Sequence, residues 1–339
     1  MKPIILGYSG DKGLDQMTEA DALRLTHINL AFGVIVDGLL SMKDLPNLKA
    51  QLARVRSLNP KLKIVLSIGG WTAGGFSLMS RTAEGRRAFG ASVKTVLNDY
   101  GLDGVDIDWE YPCSDSAGID CDPSDKVNFT YLMESMREAA GPDCIVSIAA
   151  GGGDYFVRDT EMDKVAQICD YVQIMTYDLN CFTHTTRHHT SLYAMEGSYP
   201  QGNADYCTRI FHAAGVPLEK IVLGAAFYSR KWTGVKPDKN GLLQEAESIG
   251  GYGPSYGELL ENYIGKNGFV RYWDDTAKAP YLFDGSTFIT FDDAESIAQK
   301  CAYIKEKGLL GLMYWEHSCD PTGALLKAIA DNLYLFHRQ

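Results

Sequence analysis

The chain has 339 residues, 45% of them hydrophobic and 22% charged, which is enough for one large globular domain with room for an insertion. A formal charge of −11, with no run of Lys and Arg fit to track phosphates, argues against a nucleic-acid partner. No stretch approaches the ~20 consecutive apolar residues of a membrane span. The acidic balance suits a neutral or cationic substrate, and equally suits plain solubility.

The start, Met1-Lys2-Pro3-Ile4-Ile5-Leu6-Gly7-Tyr8, runs straight into a strand-like segment without a leader, so a cytoplasmic protein is expected, or a secreted one if a leader has been removed. Short apolar or β-branched runs then alternate with helical patterns to the end. The expected strands are Ile4–Tyr8, His27–Phe32, Lys63–Ser67, Val105–Glu110, Ile145–Ala149, Tyr171–Thr176, Ile221–Phe227 and Gly311–Trp315. Helical patterns such as Ala83–Tyr100 and Lys126–Ala140 lie between them. Strands alternating with helices predict an α/β fold, and eight is the number that closes a (β/α)₈ TIM barrel. A doubly wound open sheet is the alternative, but no GxGxxG turn follows any strand.

The rhythm breaks once, over residues 231–288, which are rich in Gly and aromatics and carry strand-like Pro280–Phe283 and Thr287–Thr290. A structureless loop of that size is unusual, so a small α+β insertion is expected there, at the C-terminal mouth of a barrel formed by 1–230 and 289–339. The eight cysteines show no CxxC pair and sit mostly in apolar runs, as reduced core thiols; only Cys113 and Cys121, flanking an Asp-rich loop, invite pairing. The loop acids Asp115, Asp120, Asp122 and Asp125 lack calcium-loop spacing and are expected to be solvated. His184, His188 and His189 are expected on an exposed loop after the sixth strand, with no metal bound.

The sharpest feature is Asp103-Gly104-Val105-Asp106-Ile107-Asp108-Trp109-Glu110-Tyr111-Pro112. Alternate residues of a strand share a face, so Asp106, Asp108 and Glu110 form a ladder of acids pointing into the barrel, with Glu110 nearest the catalytic end. Three neighbouring carboxyls in a low-dielectric interior cannot all ionise cheaply, so a proton is shared and at least one pKa rises. A carboxylic acid kept protonated near neutrality is what a general acid for a glycosidic oxygen requires. Acids on one strand all lie on one side of a bound sugar. Without an opposing carboxylate, the substrate's own acetamido oxygen becomes a candidate nucleophile. A strand of this kind could instead ligate Mg²⁺ or Ca²⁺.

This segment resembles the DGxDxDxE signature of family 18 glycoside hydrolases, the chitinase family. Ser67-Ile68-Gly69-Gly70-Trp71 resembles that family's SxGG motif, Met175-Thr176-Tyr177-Asp178 its MxYD motif, and Met313-Tyr314-Trp315-Glu316 its last strand. Phe227-Tyr228-Ser229-Arg230 is similar to its FYGR segment, with Ser for the usual Gly. The resemblance runs over essentially the whole chain and implies a retaining, cofactor-independent hydrolase of chitin or chito-oligosaccharides, acting as a monomer. It implies that Glu110 protonates the glycosidic oxygen and later activates water. Asp108 swings between Asp106 and the acetamido N–H, Tyr8 and Ser67 support Asp106, and Tyr177 holds the acetamido carbonyl. Asp178, Tyr228 and Met175 surround the distorted sugar over the floor of Trp315, with Trp71 stacking a neighbour. Phe32, Gly70, Tyr111 and Arg230 complete the implied binding set.

One departure stands out. Leu179-Asn180-Cys181-Phe182-Thr183 offers Phe182 where many such chitinases carry tryptophan. With no binding module or Ser/Pro/Gly-rich linker in the chain, soluble oligomers are as good a substrate as crystalline chitin. The insertion is expected to wall a deep groove and favour exo-type or processive cutting. The rivals are an endo-β-N-acetylglucosaminidase acting on N-glycan cores and a non-catalytic chitin-binding lectin on the same scaffold.

Overall fold

The computed structural model describes residues 3–334. Eight parallel strands close on themselves: β1 (Ile4–Ser9), β2 (His27–Val36), β3 (Lys63–Gly69), β4 (Gly104–Asp108), β5 (Ile145–Gly151), β6 (Tyr171–Met175), β7 (Ile221–Ala226) and β8 (Gly311–Trp315). Each pairs with the next, and β8 pairs with β1, so the sheet has no free edge within the barrel. This is a (β/α)₈ barrel, as the alternation of patterns predicts. The strands are nearly continuous Ile, Val, Leu and Ala because helices cover one face and the barrel interior fills the other. Ile5, Ile28, Ile64, Val105, Val146, Val172, Leu223 and Leu312, one from each strand, are fully buried, each contributing about 1.5–3 kcal/mol over exposure.

Two features aim β4. At Gly69 the backbone has φ +123°, and a Cβ there would lie 1.9 Å from the Asp108 carbonyl oxygen, so only glycine lets β3 approach the ladder this closely. Past the strand's end, Trp109 turns away from the barrel axis and is buried, its ring stacked on Phe76 at 5.2 Å and edge-on to Phe129 at 6.0 Å. That apolar anchor fixes the turn from which Glu110 projects.

The acidic loop is more than a solvated surface. Asp125 is fully buried and accepts from the Ser77 hydroxyl and from the Cys113 and Asp122 amides. Asp120 accepts from the amides of Gly75 and Leu78. Both carboxylates therefore pin the loop to the helix that follows β3, satisfying donors at its first turn. Cys113 and Cys121 are free thiols, and Cys169, Cys181, Cys207 and Cys301 are buried.

Between β7 and β8 the chain builds a second, antiparallel sheet of five strands, in the order Gly251–Ser255, Tyr228–Trp232, Phe288–Thr290, Ala279–Phe283, Val270–Asp274. It takes in Tyr228 and Thr290 and so extends past 231–288 on both sides. Trp232, Tyr281, Phe283 and Phe288 make its core, with Cys181 from the loop after β6.

A buried charge cluster ties this sheet's return to the barrel. Asp292 accepts from Lys300 at 2.6 Å, the Thr190 hydroxyl at 2.9 Å, the Ala226 amide at 3.0 Å and the Ser296 hydroxyl at 2.7 Å. Removing one partner strands a buried charge. Lys300→Met is therefore expected to lower unfolding stability by about 3–5 kcal/mol, read as a shifted urea midpoint at unchanged slope. Among the described residues, no helix is long and apolar enough to cross a membrane.

Candidate active site

β4 presents Asp106 and Asp108 on its inward face, and Glu110 follows two residues past its end. Exposure rises up the ladder: Asp106 is fully buried, Asp108 is 4% exposed and Glu110 9%. Asp106 sits in a ring of donors. Its Oδ2 accepts from Tyr8 at 2.9 Å and Ser67 at 2.8 Å, and its Oδ1 from Ser147 at 2.7 Å and Gln173 Nε2 at 2.8 Å. Tyr8 and Ser67 are singled out by sequence. Ser147, Gln173 and Asn29, which donates to Gln173 Oε1 at 3.2 Å, are not. Their signal is faint but real: each is a polar residue at an alternate position in an otherwise apolar strand.

The environment separates the three acids. Burial raises Asp106, and hydrogen bonds from Ser147, Ser67, Tyr8 and Gln173 oppose that rise. Asp108 has no such relief; burial, then the charges of Glu110 and Asp106, hold it well above the usual carboxylate range, and its buried Oδ1 has no partner. Burial lifts Glu110 to about 7, with the charge of Asp178 adding and a hydrogen bond from Tyr111 subtracting. Tyr177, pushed far up by burial and by Asp108 and Glu110, stays a neutral donor, its hydroxyl resting on Met313 Sδ at 3.8 Å.

Beside the ladder lies a second ionic group. Asp178, at φ +58°, is gripped by both arms of Arg230 at 2.7 Å and accepts from Tyr228 at 2.6 Å. Burial would raise its pKa, but the hydrogen bonds and charges of His189 and Arg230 hold it below the ordinary range. The Asp178 amide donates to His189 Nδ1 at 3.3 Å. His188 and His189 are fully buried, contrary to the expectation of an exposed loop, because the second sheet closes over this segment; His184 alone is exposed. Asp178, Cys181 and His189 bring ligand atoms within 4.8 Å of one another, but the Arg230 guanidinium already takes up both oxygens of that carboxylate.

A cavity of about 820 Å³ opens over these groups, lined by Asp108, Glu110, Tyr177, Asp178, Tyr228, Arg230 and Met175. Its aromatic walls are Tyr8, Phe32, Trp315, Trp71 and Tyr111, all read from the sequence, together with Tyr155, Phe182, Tyr199, Tyr206 and Tyr252, of which only Phe182 was. Trp315 and Phe32 stack at 5.4 Å and 17°, forming the floor. Trp71 is 48% exposed and Phe182 73%, which leaves both faces free for a ligand. Asp106, Ser67 and Gly70 lie below the surface. Gly70 backs the wall, its amide donating to the Asp108 carbonyl at 2.9 Å and its Cα hydrogens facing the Phe32 ring.

The model of the Glycosyl hydrolases family 18 matches residues 4–320. The chain belongs to that family. Among family 18 relatives, Chitinase A1 of Niallia circulans is 39% identical over 310 residues, 84% of this chain and 44% of that protein. Mouse (Mus musculus) chitotriosidase-1 is 32% identical over 316 residues, 88% of this chain and 67% of that one. This chain thus spans less than half of Chitinase A1. In three dimensions, a family 18 N-acetylglucosaminidase from Paenibacillus barengoltzii superposes with TM-score 0.94 and 47% identity, over 98% of this chain and 100% of that one.

The raised Glu110 has a thermodynamic signature. With a pKa of about 7 folded against 4.5 unfolded, the folded state binds the extra proton, so stability falls as pH climbs between those values. Glu110→Gln lacks this loss. It should match the wild type near pH 4 and exceed it at pH 8 by on the order of 3 kcal/mol, measured by chemical denaturation.

Proposed function

We propose that this family 18 protein is a chitinase, hydrolysing β-1,4-linked N-acetylglucosamine chains with retention through an oxazolinium intermediate. One observation carries the reading: the protonatable Glu110 faces the cavity, while the cavity's carboxylates off the ladder, Asp115 apart, are engaged by neighbouring side chains. Asp178 is held by Arg230, Asp159 by Arg158 and Asp154 by Tyr206, and Asp115 lies on the exposed loop. With Asp178, the off-ladder carboxylate whose charge reaches Glu110, held at both oxygens by Arg230, the attack on C1 falls to the substrate's acetamido oxygen.

Glu110 donates its proton to the leaving oxygen. Asp108 turns to the acetamido N–H, and Tyr177 donates to the acetamido carbonyl, setting its angle of attack. The carbonyl oxygen bonds to C1 as the glycosidic bond breaks. Ionised Glu110 then takes a proton from water, which opens the oxazolinium ring with net retention. Trp315 carries the reacting sugar on its face, and Tyr228, Asp178 and Met175 hold its edge. Tyr252, from within 231–288, lines the same cavity beside Arg230, which supports reading the insertion as a wall of the groove that favours exo-type or processive cutting. The names of the relatives, chitinases and an N-acetylglucosaminidase, agree with this substrate class. One chain supplies every residue invoked, in keeping with a monomer.

The deciding test is hydrolysis of the N-acetylglucosamine tetramer and hexamer. Wild type should turn both over, and Glu110→Gln should fall by about 10²–10⁴-fold or more. Binding without turnover in the wild type would make it a lectin, and glycan release from a high-mannose glycoprotein without oligomer cleavage would make it an N-glycan-core enzyme. Because Glu110 must be protonated to act, kcat/KM should decline on the alkaline side with an apparent pKa of about 7. A sugar lacking the acetamido group at the cleaved position should not be hydrolysed.

A further inference from the structure

Beneath the ladder, two buried amides reach across the barrel. Asn29 on β2 donates to Gln173 Oε1 on β6 at 3.2 Å, and Gln173 Nε2 donates to Asp106 Oδ1 at 2.8 Å, lying also 3.3 Å from the Ser147 hydroxyl. All three side chains are fully buried. Resting on the mechanism above, we propose that Gln173, oriented by Asn29, is a positioning residue that holds Asp106 as a carboxylate throughout turnover and so confines the ladder's mobile proton to Asp108 and Glu110.

The argument is one of donors and acceptors. A carboxylate offers about four lone-pair positions, and four donors fill those of Asp106: Tyr8 and Ser67 on one oxygen, Ser147 and Gln173 on the other. The three hydroxyls reverse freely and would accept a proton from a neutral Asp106. An amide N–H does not. Presenting Oε1 to Asp106 instead would set the Gln173 NH₂ against the Asn29 NH₂, so reversal needs both amides to turn together. Gln173 is thus the member of the ring that distinguishes carboxylate from acid. Asp108 has no comparable ring, and its Oδ1 is unpartnered. When Asp108 turns to the substrate, Asp106 is left charged in the barrel, and these charge-assisted bonds compensate it.

Other titratable groups face this point from several strands. Tyr8 comes from β1, His27 from β2, Asp108 and Glu110 from β4 and its end, and Tyr171, Tyr177 and the preceding Cys169 from β6. β3 and β5 present the non-titrating Ser67 and Ser147, while β7 and β8 present Val222 and Met313. Burial pushes the tyrosines and Cys169 up, so they stay neutral. Burial also lowers His27 to about 4, a titration that wild type and variant share.

The test is Gln173→Met, which keeps length and bulk but removes the donor. Losing one charge-assisted bond should move the acid limb of the kcat/KM profile up by about one pH unit. The alkaline limb should stay in place, and KM at the plateau within about twofold, since the substrate contacts are untouched. Asn29→Leu should move the acid limb the same way by less. A second readout needs no substrate: the melting temperature of Gln173→Met minus that of wild type should grow more negative from pH 4 to pH 7, as Asp106 ionises without its full ring. Superimposable pH profiles in an active enzyme would reduce Gln173 to a space-filling residue, and so would a melting difference independent of pH. Should wild type fail to cleave the oligomers, the chitinase reading falls while the melting series still decides this one.

Discussion

Three carboxyl groups on one strand, buried at the mouth of a barrel, set the terms for everything around them. Desolvation alone opposes ionising any of them, and their mutual repulsion opposes ionising more than one or two. The protein resolves this by grading the environment along the ladder. The lowest acid is ringed by four donors, the middle one is left without a partner on one oxygen, and the top one meets the open cavity. Each acid thereby has a different proton affinity although all three share one local sequence repeat.

The neighbouring Asp178 shows the opposite solution. It lines the same cavity as Glu110, and the two-armed contact with Arg230 and the bond from Tyr228 hold its charge in place. Two carboxyls in one cavity are driven apart in pKa, Glu110 upward by burial and Asp178 downward by His189 and Arg230. In the proposed mechanism, that separation leaves one carboxyl able to protonate a leaving group while the other stays ionised in its pair with Arg230.

Much of this was legible in the sequence because it is local. The acid ladder sits in one contiguous segment whose strand period fixes which side chains project inward, and Trp315, Tyr177 with Asp178, and Tyr228 with Arg230 sit in short motifs read by their resemblance to the family's. What escaped depends on register between distant strands. Ser147 meets Asp106 because β5 pairs with β4 in that register, and Gln173 meets Asn29 across 144 positions of sequence. The burial of His188 and His189 was misjudged for the same reason, since it arises from a sheet formed 40 to 100 residues later. The Asp120 and Asp125 loop looked solvated because its partners, at Gly75, Ser77 and Leu78, lie on a different loop and helix.

The Asp292–Lys300 cluster has a consequence for how such an enzyme diversifies. It fastens the root of the second sheet to the end of β7 and to the loop after β6, while Tyr252, at the far edge of that sheet, is 68% exposed. The root of the sheet is therefore locked into the barrel, while its outer strand meets the cleft. Tyr252 stacks over the Arg230 guanidinium at 3.8 Å, and Arg230 holds Asp178, so a change at this rim reaches the charged group below as well as the wall of the cleft. Altering the rim to admit other chain lengths or decorations of the sugar thus requires that Arg230 keep its hold on Asp178.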